Sequence, residues 1–248
     1  MIDLHTHVLP GIDDGPATIS QSLEILADSV ESGVRAVAAT PHVRDDYPTT
    51  AAVMERLVAV LRVEAEANAI ALGIMTGGEI ALDRLAVTPT AELRRFGLGG
   101  SRYLLIEFPY YGWPPNLAEQ LAALRSAGFT AVLAHPERNA EVQAGPGRIE
   151  PLVDSGSLVQ LTSASISGDL GRQSQTTALR LLELGLAHLV ASDVHARGGR
   201  AGLPAALEEI ADQRLARWLT MEVPQAIVSD EAVPLRPAGR RRRLWKGQ

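Results

Sequence analysis

His5 and His7 stand at the end of an apolar run over residues 1–4. Residues two apart on a strand share a face, so both imidazoles can turn into one cavity and suit a divalent transition metal. Asp13 and Asp14 follow in a glycine-flanked loop, where Asp-Asp-Gly is also good turn chemistry. Each is therefore a turn former, a ligand or both. Asp193 and His195 repeat the two-residue spacing after a later run. Between them come His42 after Thr40-Pro41, Glu79 after Gly77-Gly78, Glu107 between Ile106 and Phe108, and His135 after Ala131-Val132-Leu133-Ala134. Taken alone, His42 reads as a loop histidine, and His135 as either a ligand or a core histidine satisfied by the backbone. A carboxylate on the inner side of a core strand needs a partner or a metal. That favours Glu79 and Glu107 as ligands over surface positions. His188 opens its run instead of ending it, which gives it a structural role at the opposite end of the fold.

This set exceeds the needs of one tetrahedral ion and fits roughly two or three hard-to-borderline ions, with a carboxylate such as Glu79 bridging. Such a cluster activates water near neutral pH and clamps an oxyanion. Cationic partners lie close in sequence: Arg138 in His135-Pro136-Glu137-Arg138, and Arg197 and Arg200 beyond Asp193-Val194-His195. The planar guanidinium matches phosphate oxygens, so phosphate binding is the expectation over solvated loop residues. Tyr110, Tyr111 and Trp113, directly after the fourth run, either wall in an aromatic ring or pack their own loop.

The elements that must position these residues alternate. Strand-like runs cover residues 1–4, 34–39, 70–78, 103–108, 130–134, 158–162 and 188–191. All but 158–162 carry or lead into a metal-type ligand. Helical patterns cover 19–32, 51–69, 115–127, 148–155, 173–184 and 204–219. In the first two helices the apolar positions are Leu23, Ile25, Leu26 and Val30, then Val53, Leu57, Val60, Leu61 and Val63. Alternation of this kind predicts a mainly parallel α/β sheet, and seven strands suggest a distorted or incomplete barrel. Barrels place their chemistry at the carboxyl ends of the strands, where most of these ligands fall.

Composition excludes several classes. At 248 residues, 46% hydrophobic and 21% charged, the chain reads as one soluble domain over residues 1–236. A net charge of −6 argues against a general nucleic-acid or acidic-membrane binder. There is no cysteine, which removes disulfides, zinc-thiolate sites and thiolate nucleophiles. No run approaches the ~20 apolar residues of a membrane span. The opening residues read as a strand rather than a leader, so the expected compartment is the cytoplasm. Residues 237–248, with Arg240, Arg241, Arg242, Arg243 and Lys246, read as a solvated basic tail or as an electrostatic contact for an acidic partner or membrane surface.

Together these motifs resemble the polymerase-and-histidinol-phosphatase (PHP) superfamily, and within it the bacterial CpsB/YwqE-type tyrosine-protein phosphatases of capsule and exopolysaccharide clusters. The resemblance rests on Asp3-Leu4-His5-Thr6-His7, Leu9-Pro10-Gly11-Ile12-Asp13-Asp14-Gly15-Pro16, Thr40-Pro41-His42, Gly78-Glu79, Glu107-Phe108-Pro109, His135-Pro136-Glu137-Arg138 and Ser192-Asp193-Val194-His195, in family order. It implies a single-domain distorted (β/α)7 barrel with a trinuclear site, typically supported by manganese, with iron or zinc as alternatives. By motif, His5, His7, Glu79 and Asp193 would hold one ion. Glu79, Glu107 and His135 would hold a second, and Asp14, His42 and His195 a third, with Asp13 in place of Asp14 if the loop register differs. Arg138 and Arg200 match positions of phosphate-contacting arginines. The implied substrate is a phosphotyrosine protein, the tail of a bacterial polysaccharide-assembly kinase. The alternatives are a small metabolite such as histidinol phosphate, or a regulatory module without turnover. Val43-Arg44-Asp45-Asp46-Tyr47-Pro48 and the terminal arginine run depart from the family pattern.

Overall fold

A computed structural model describes residues 1–198 and 202–238. Among the described residues, nine short strands run β1 (Ile2–Thr6), β2 (Ala36–Ala39), β3 (His42–Val43), β4 (Gly73–Thr76), β5 (Glu79–Ala81), β6 (Tyr103–Glu107), β7 (Thr130–Ala134), β8 (Leu158–Thr162) and β9 (Leu189–Ala191). Every pairing between them is parallel, in the orders β1-β2-β4 and β3-β5-β6-β7-β8-β9. The two sheets form one circuit, because β2 continues into β3 and β4 into β5. The circuit closes where Asp193 donates its N–H to the His5 carbonyl and His7 donates to that of Val194, each at 2.9 Å. The result is the seven-stave distorted barrel expected from the sequence. No helix among the described residues is long and apolar enough to cross a membrane.

The two interrupted staves have local causes. Pro41 has no N–H to give a ladder and breaks the second stave. Its carbonyl accepts from Glu79 N at 3.0 Å, so pairing resumes one step later, with His42 opposite Glu79. The third stave breaks at Gly77-Gly78, where a Cβ on Gly78 would lie 2.6 Å from the buried Phe96 ring. Glu79 therefore opens the segment Glu79–Ala81, whereas the sequence pattern has it ending a single strand.

Helices cover the outside of the barrel. The first, Ile19–Glu31, starts at a Thr18–Gln21 capping box and buries Ile25 and Leu26. In the helix Ala51–Ala67 the buried stripe is Ala51, Met54, Val58, Leu61 and Ala65. Val60 and Val63, expected inside, are exposed, because the three-and-four spacing runs through Met54 and Val58 instead. Four short helices, Thr90–Arg95, Ala140–Ala144, Ser163–Ser167 and Val223–Val228, have no counterpart in the sequence pattern. At the far end of the barrel His188 Nδ1 accepts the Val159 N–H at 3.1 Å, a structural role. Residues 239–248, with the basic run, lie outside the described residues.

Candidate metal centre

The candidate ligands converge at one end of the barrel. Four groups of side chains have donor atoms within 4.8 Å of one another: His7, Asp14, His42 and His195; His5, His7 and Asp193; His5, Glu79 and His135; and His42, Glu79 and Glu107. Every expected metal ligand belongs to at least one group. Alternation and register bring them there. His5 and His7 share a face, His42 lies opposite Glu79, and Glu107 lies opposite Ala81 and Ala134. His135 and Asp193 follow their strands with φ of +37° and +56°, a left-handed backbone that costs on the order of 1 kcal/mol or more at a non-glycine residue.

The tightest set is His5, His7, Glu79 and Asp193. His5 Nε2 lies 3.2 Å from His7 Nε2, 3.3 Å from Glu79 Oε2 and 3.2 Å from Asp193 Oδ1. His7 Nε2 lies 3.3 and 3.5 Å from the same two oxygens. The donor atoms of His5, His7 and Asp193 lie within 4.8 Å of one another, close enough to face one divalent ion, and Glu79 Oε2 stands 3.3 Å from both imidazoles. Glu79 Oε2 is buried and has no hydrogen-bond partner among the described residues, although His42 Nδ1 also approaches to 3.0 Å. A bare carboxylate oxygen ringed by imidazole nitrogens fits a cation. Glu79 Oε1 faces His135 Nε2 at 2.8 Å. Across the mouth, Asp14 Oδ1 lies 3.4 Å from His42 Nε2 and 3.2 Å from His195 Nε2. Glu107 is the loosest member, 3.9 Å from His42 Nδ1 and paired with Arg44 at 2.9 Å.

A supporting layer fixes the imidazoles. Gln160 Oε1 accepts from His5 Nδ1 at 3.0 Å, which leaves Nε2 to face the cluster. Asp13 Oδ2 takes His7 Nδ1 at 2.8 Å and the His42 N–H at 3.1 Å, so Asp13 orients ligands while Asp14 faces the other donors. The Asp193 carbonyl holds His195 Nδ1 at 2.9 Å. Asp3 Oδ1 accepts from Ser192 N at 3.0 Å, tying the first stave to the last loop. Sequence reasoning missed Gln160, since an amide is not a metal-type ligand. The signal was there: a polar residue in the apolar run Leu158–Thr162, fully buried. Electrostatics follow the geometry. Burial disfavours a charged His5, but the carboxylates of Glu79 and Asp193 outweigh it and raise its pKa to about 9. The imidazoles of His5, His135 and His42 overcome burial at Glu79 and hold it well below the usual carboxylate range.

The cluster opens into a cavity of about 470 Å³, whose walls include Arg44, Tyr110 and Arg138. Arg138 Nη1 donates to Asp193 Oδ2 at 2.9 Å. Arg197 instead faces outward, its Nε 3.5 Å from Asp28, and does not serve this cavity. Arg200 lies outside the described residues. Of the aromatic loop, Tyr110 reaches the cavity, while Trp113 packs edge-on against Phe108 with centroids 5.6 Å apart.

Comparison with known proteins agrees with this geometry. The tyrosine-protein phosphatase YwqE of Bacillus subtilis is 36% identical over 197 residues, covering 79% of this chain and 77% of its own. The tyrosine-protein phosphatase CpsB of Streptococcus pneumoniae is 31% identical over 246 residues, covering 94% and 100%. A crystal structure from work on those two proteins, described as unique metal-dependent tyrosine phosphatases, superposes with a TM-score of 0.83 at 29% identity, covering 97% of this chain and 100% of that one. The profile of the CpsB/CapC family, described as capsular polysaccharide synthesis, matches residues 1–229. The chain belongs to the CpsB/CapC family.

Proposed function

We propose that this chain is a metal-dependent protein-tyrosine phosphatase that hydrolyses a phosphotyrosine ester to tyrosine and inorganic phosphate. The observation that carries the reading is the convergence of ligands from every stave but the sixth at one end of the barrel, where His5, His7 and His42 face the bare Glu79 Oε2. In this proposal His5, His7, Glu79 and Asp193 hold one ion, Glu79, Glu107 and His135 a second, and Asp14, His42 and His195 a third. The distances within the first and third sets support them directly. For the second, the Glu79–His135 contact is the support. The proposed ions are manganese, with iron or zinc as alternatives, in keeping with an oxygen- and imidazole-rich set without thiolate. When bound, they supply activated water near neutral pH and positive charge against the transferring phosphoryl group.

The rest falls to the chain's own groups. Gln160, Asp13 and the Asp193 carbonyl fix three imidazoles with Nε2 directed inward. Arg138, and by the family pattern Arg200, offer guanidinium forks to the phosphoryl oxygens. Tyr110 borders the path of the aromatic ring. With no cysteine in the chain, no cysteinyl phosphate forms. We further propose that the physiological substrate is the cytoplasmic phosphotyrosine tail of a polysaccharide-assembly kinase. The family's description as capsular polysaccharide synthesis supports this. An open cavity also suits an extended segment better than a folded surface. The test compares manganese-loaded protein on a phosphotyrosine peptide, the matching phosphoserine peptide and histidinol phosphate. Preferential hydrolysis of the first is expected. Strong activity on histidinol phosphate alone would move the assignment to a metabolic phosphatase.

A further inference from the structure

Two of the clustered imidazoles are backed in the same way. His135 stacks on Tyr110, with ring centroids 5.7 Å apart and planes 22° from parallel. The Arg138 guanidinium lies 4.6 Å from the centre of that tyrosine ring. His42 stacks on Tyr47 at 5.7 Å and 13°, and the Arg44 guanidinium lies 5.1 Å from that ring. The two assemblies sit on β7 and β3, which β5 and β6 separate in the barrel, so they face each other across its mouth. Both arginines line the cavity.

Arg44 is held in place before any ligand arrives. Stacking on an aromatic face limits its rotamers. Its Nη1 donates to Glu107 Oε1 at 2.9 Å. Its Nε lies 2.8 Å from Asp46 Oδ1, near enough for an ion pair though not aligned as a hydrogen bond. Those contacts engage only part of a five-donor fork. Glu107 gives Oε1 to Arg44 and turns Oε2 toward His42. The guanidinium can therefore stay beside Glu107 while Oε2 serves an ion, next to where an oxyanion would lie.

We propose that Arg44 is a substrate-binding residue that contacts the phosphoryl group from the flank opposite Arg138, so that two aromatic-backed guanidinium groups grip the anion. The identity of the ester rests on the phosphatase reading above; the anion site itself rests on the geometry. The test uses manganese-loaded wild type, Arg44→Ala and Arg44→Lys. Three quantities are read: bound manganese per chain, the calorimetric Kd for inorganic phosphate, and kcat and KM on a phosphotyrosine peptide. Arg44→Ala should keep its manganese and weaken both phosphate Kd and peptide KM by about 10-fold or more, the effect of one charge-assisted hydrogen bond. Arg44→Lys should recover part of the loss, since it restores charge without the planar fork. An unchanged phosphate Kd in Arg44→Ala would overturn the proposal. Loss of manganese in that variant would also overturn it, reducing Arg44 to a positioning residue for Glu107. If wild type cleaves no phosphotyrosine peptide yet binds phosphate through Arg44, the phosphatase reading fails while the anion site stands.

Discussion

Glu79 shares its two oxygens between His135 on one side and His5, His7 and His42 on the other. Glu79→Gln keeps the shape and removes the charge. It should cut bound manganese and lower kcat/KM by at least ~10²-fold, with little change in far-UV circular dichroism. Full occupancy with normal turnover would exclude a bridging role. Gln160→Leu removes only the group that orients His5, and metal affinity should fall about 10- to 100-fold by titration while the chain stays folded. The ligands were legible because a histidine or carboxylate closing an apolar run needs a reason to be there. Asp13 and Asp14 could not be separated by type, and only the fold distinguishes them: one holds His7, the other faces His42 and His195. Arg44 was hidden by Asp45 and Asp46 beside it. Of those two, only Asp46 is its own partner, together with the distant Glu107.

Among the elements, the staves were legible but their continuation past the breaks was not. Alternating apolar runs gave seven strands in the right order, and Pro41 and Gly77-Gly78 are local causes for two of them to stop. That pairing resumes at His42 and Glu79 depends on contacts across the sheet. Gly78→Ala should cost about 1–3 kcal/mol in urea unfolding, since its Cβ meets the buried Phe96 ring at 2.6 Å. The helix Thr90–Arg95 escaped notice because six residues carry too little periodicity to read. His188 links strand packing to pH. Burial, helped by the nearby Arg236 charge, pushes its pKa from 6.5 down to about 4. Below pH 6.5 the unfolded chain takes a proton that the native one refuses, so stability falls as pH drops from 6.5 toward 4 and is unaffected above. The loss should be on the order of 2–3 kcal/mol. His188→Asn, which keeps an acceptor for the Val159 N–H, should flatten that part of the curve when both chelated proteins are unfolded at each pH. An identical pH slope in the two would remove His188 as its source.

For the whole molecule, a net charge of −6 gives phosphoproteins no general attraction, so recognition must be local to the cavity and its arginines. Closure of the barrel by the first and last staves makes the site a property of the complete circuit: His5 and Asp193 meet only when Asp193 N pairs with His5 O. Ions bridging those staves should therefore stabilise the entire fold, and chelation should lower Tm by several degrees, with recovery on add-back. Metal dependence is tested most directly by titrating manganese into chelated protein while following both bound ion per chain and hydrolysis of a phosphotyrosine peptide. The ion-free protein should show no turnover, turnover should rise with occupancy, and Glu79→Gln should lose both. Full activity after chelation, or activity independent of the ions bound, would contradict metal dependence.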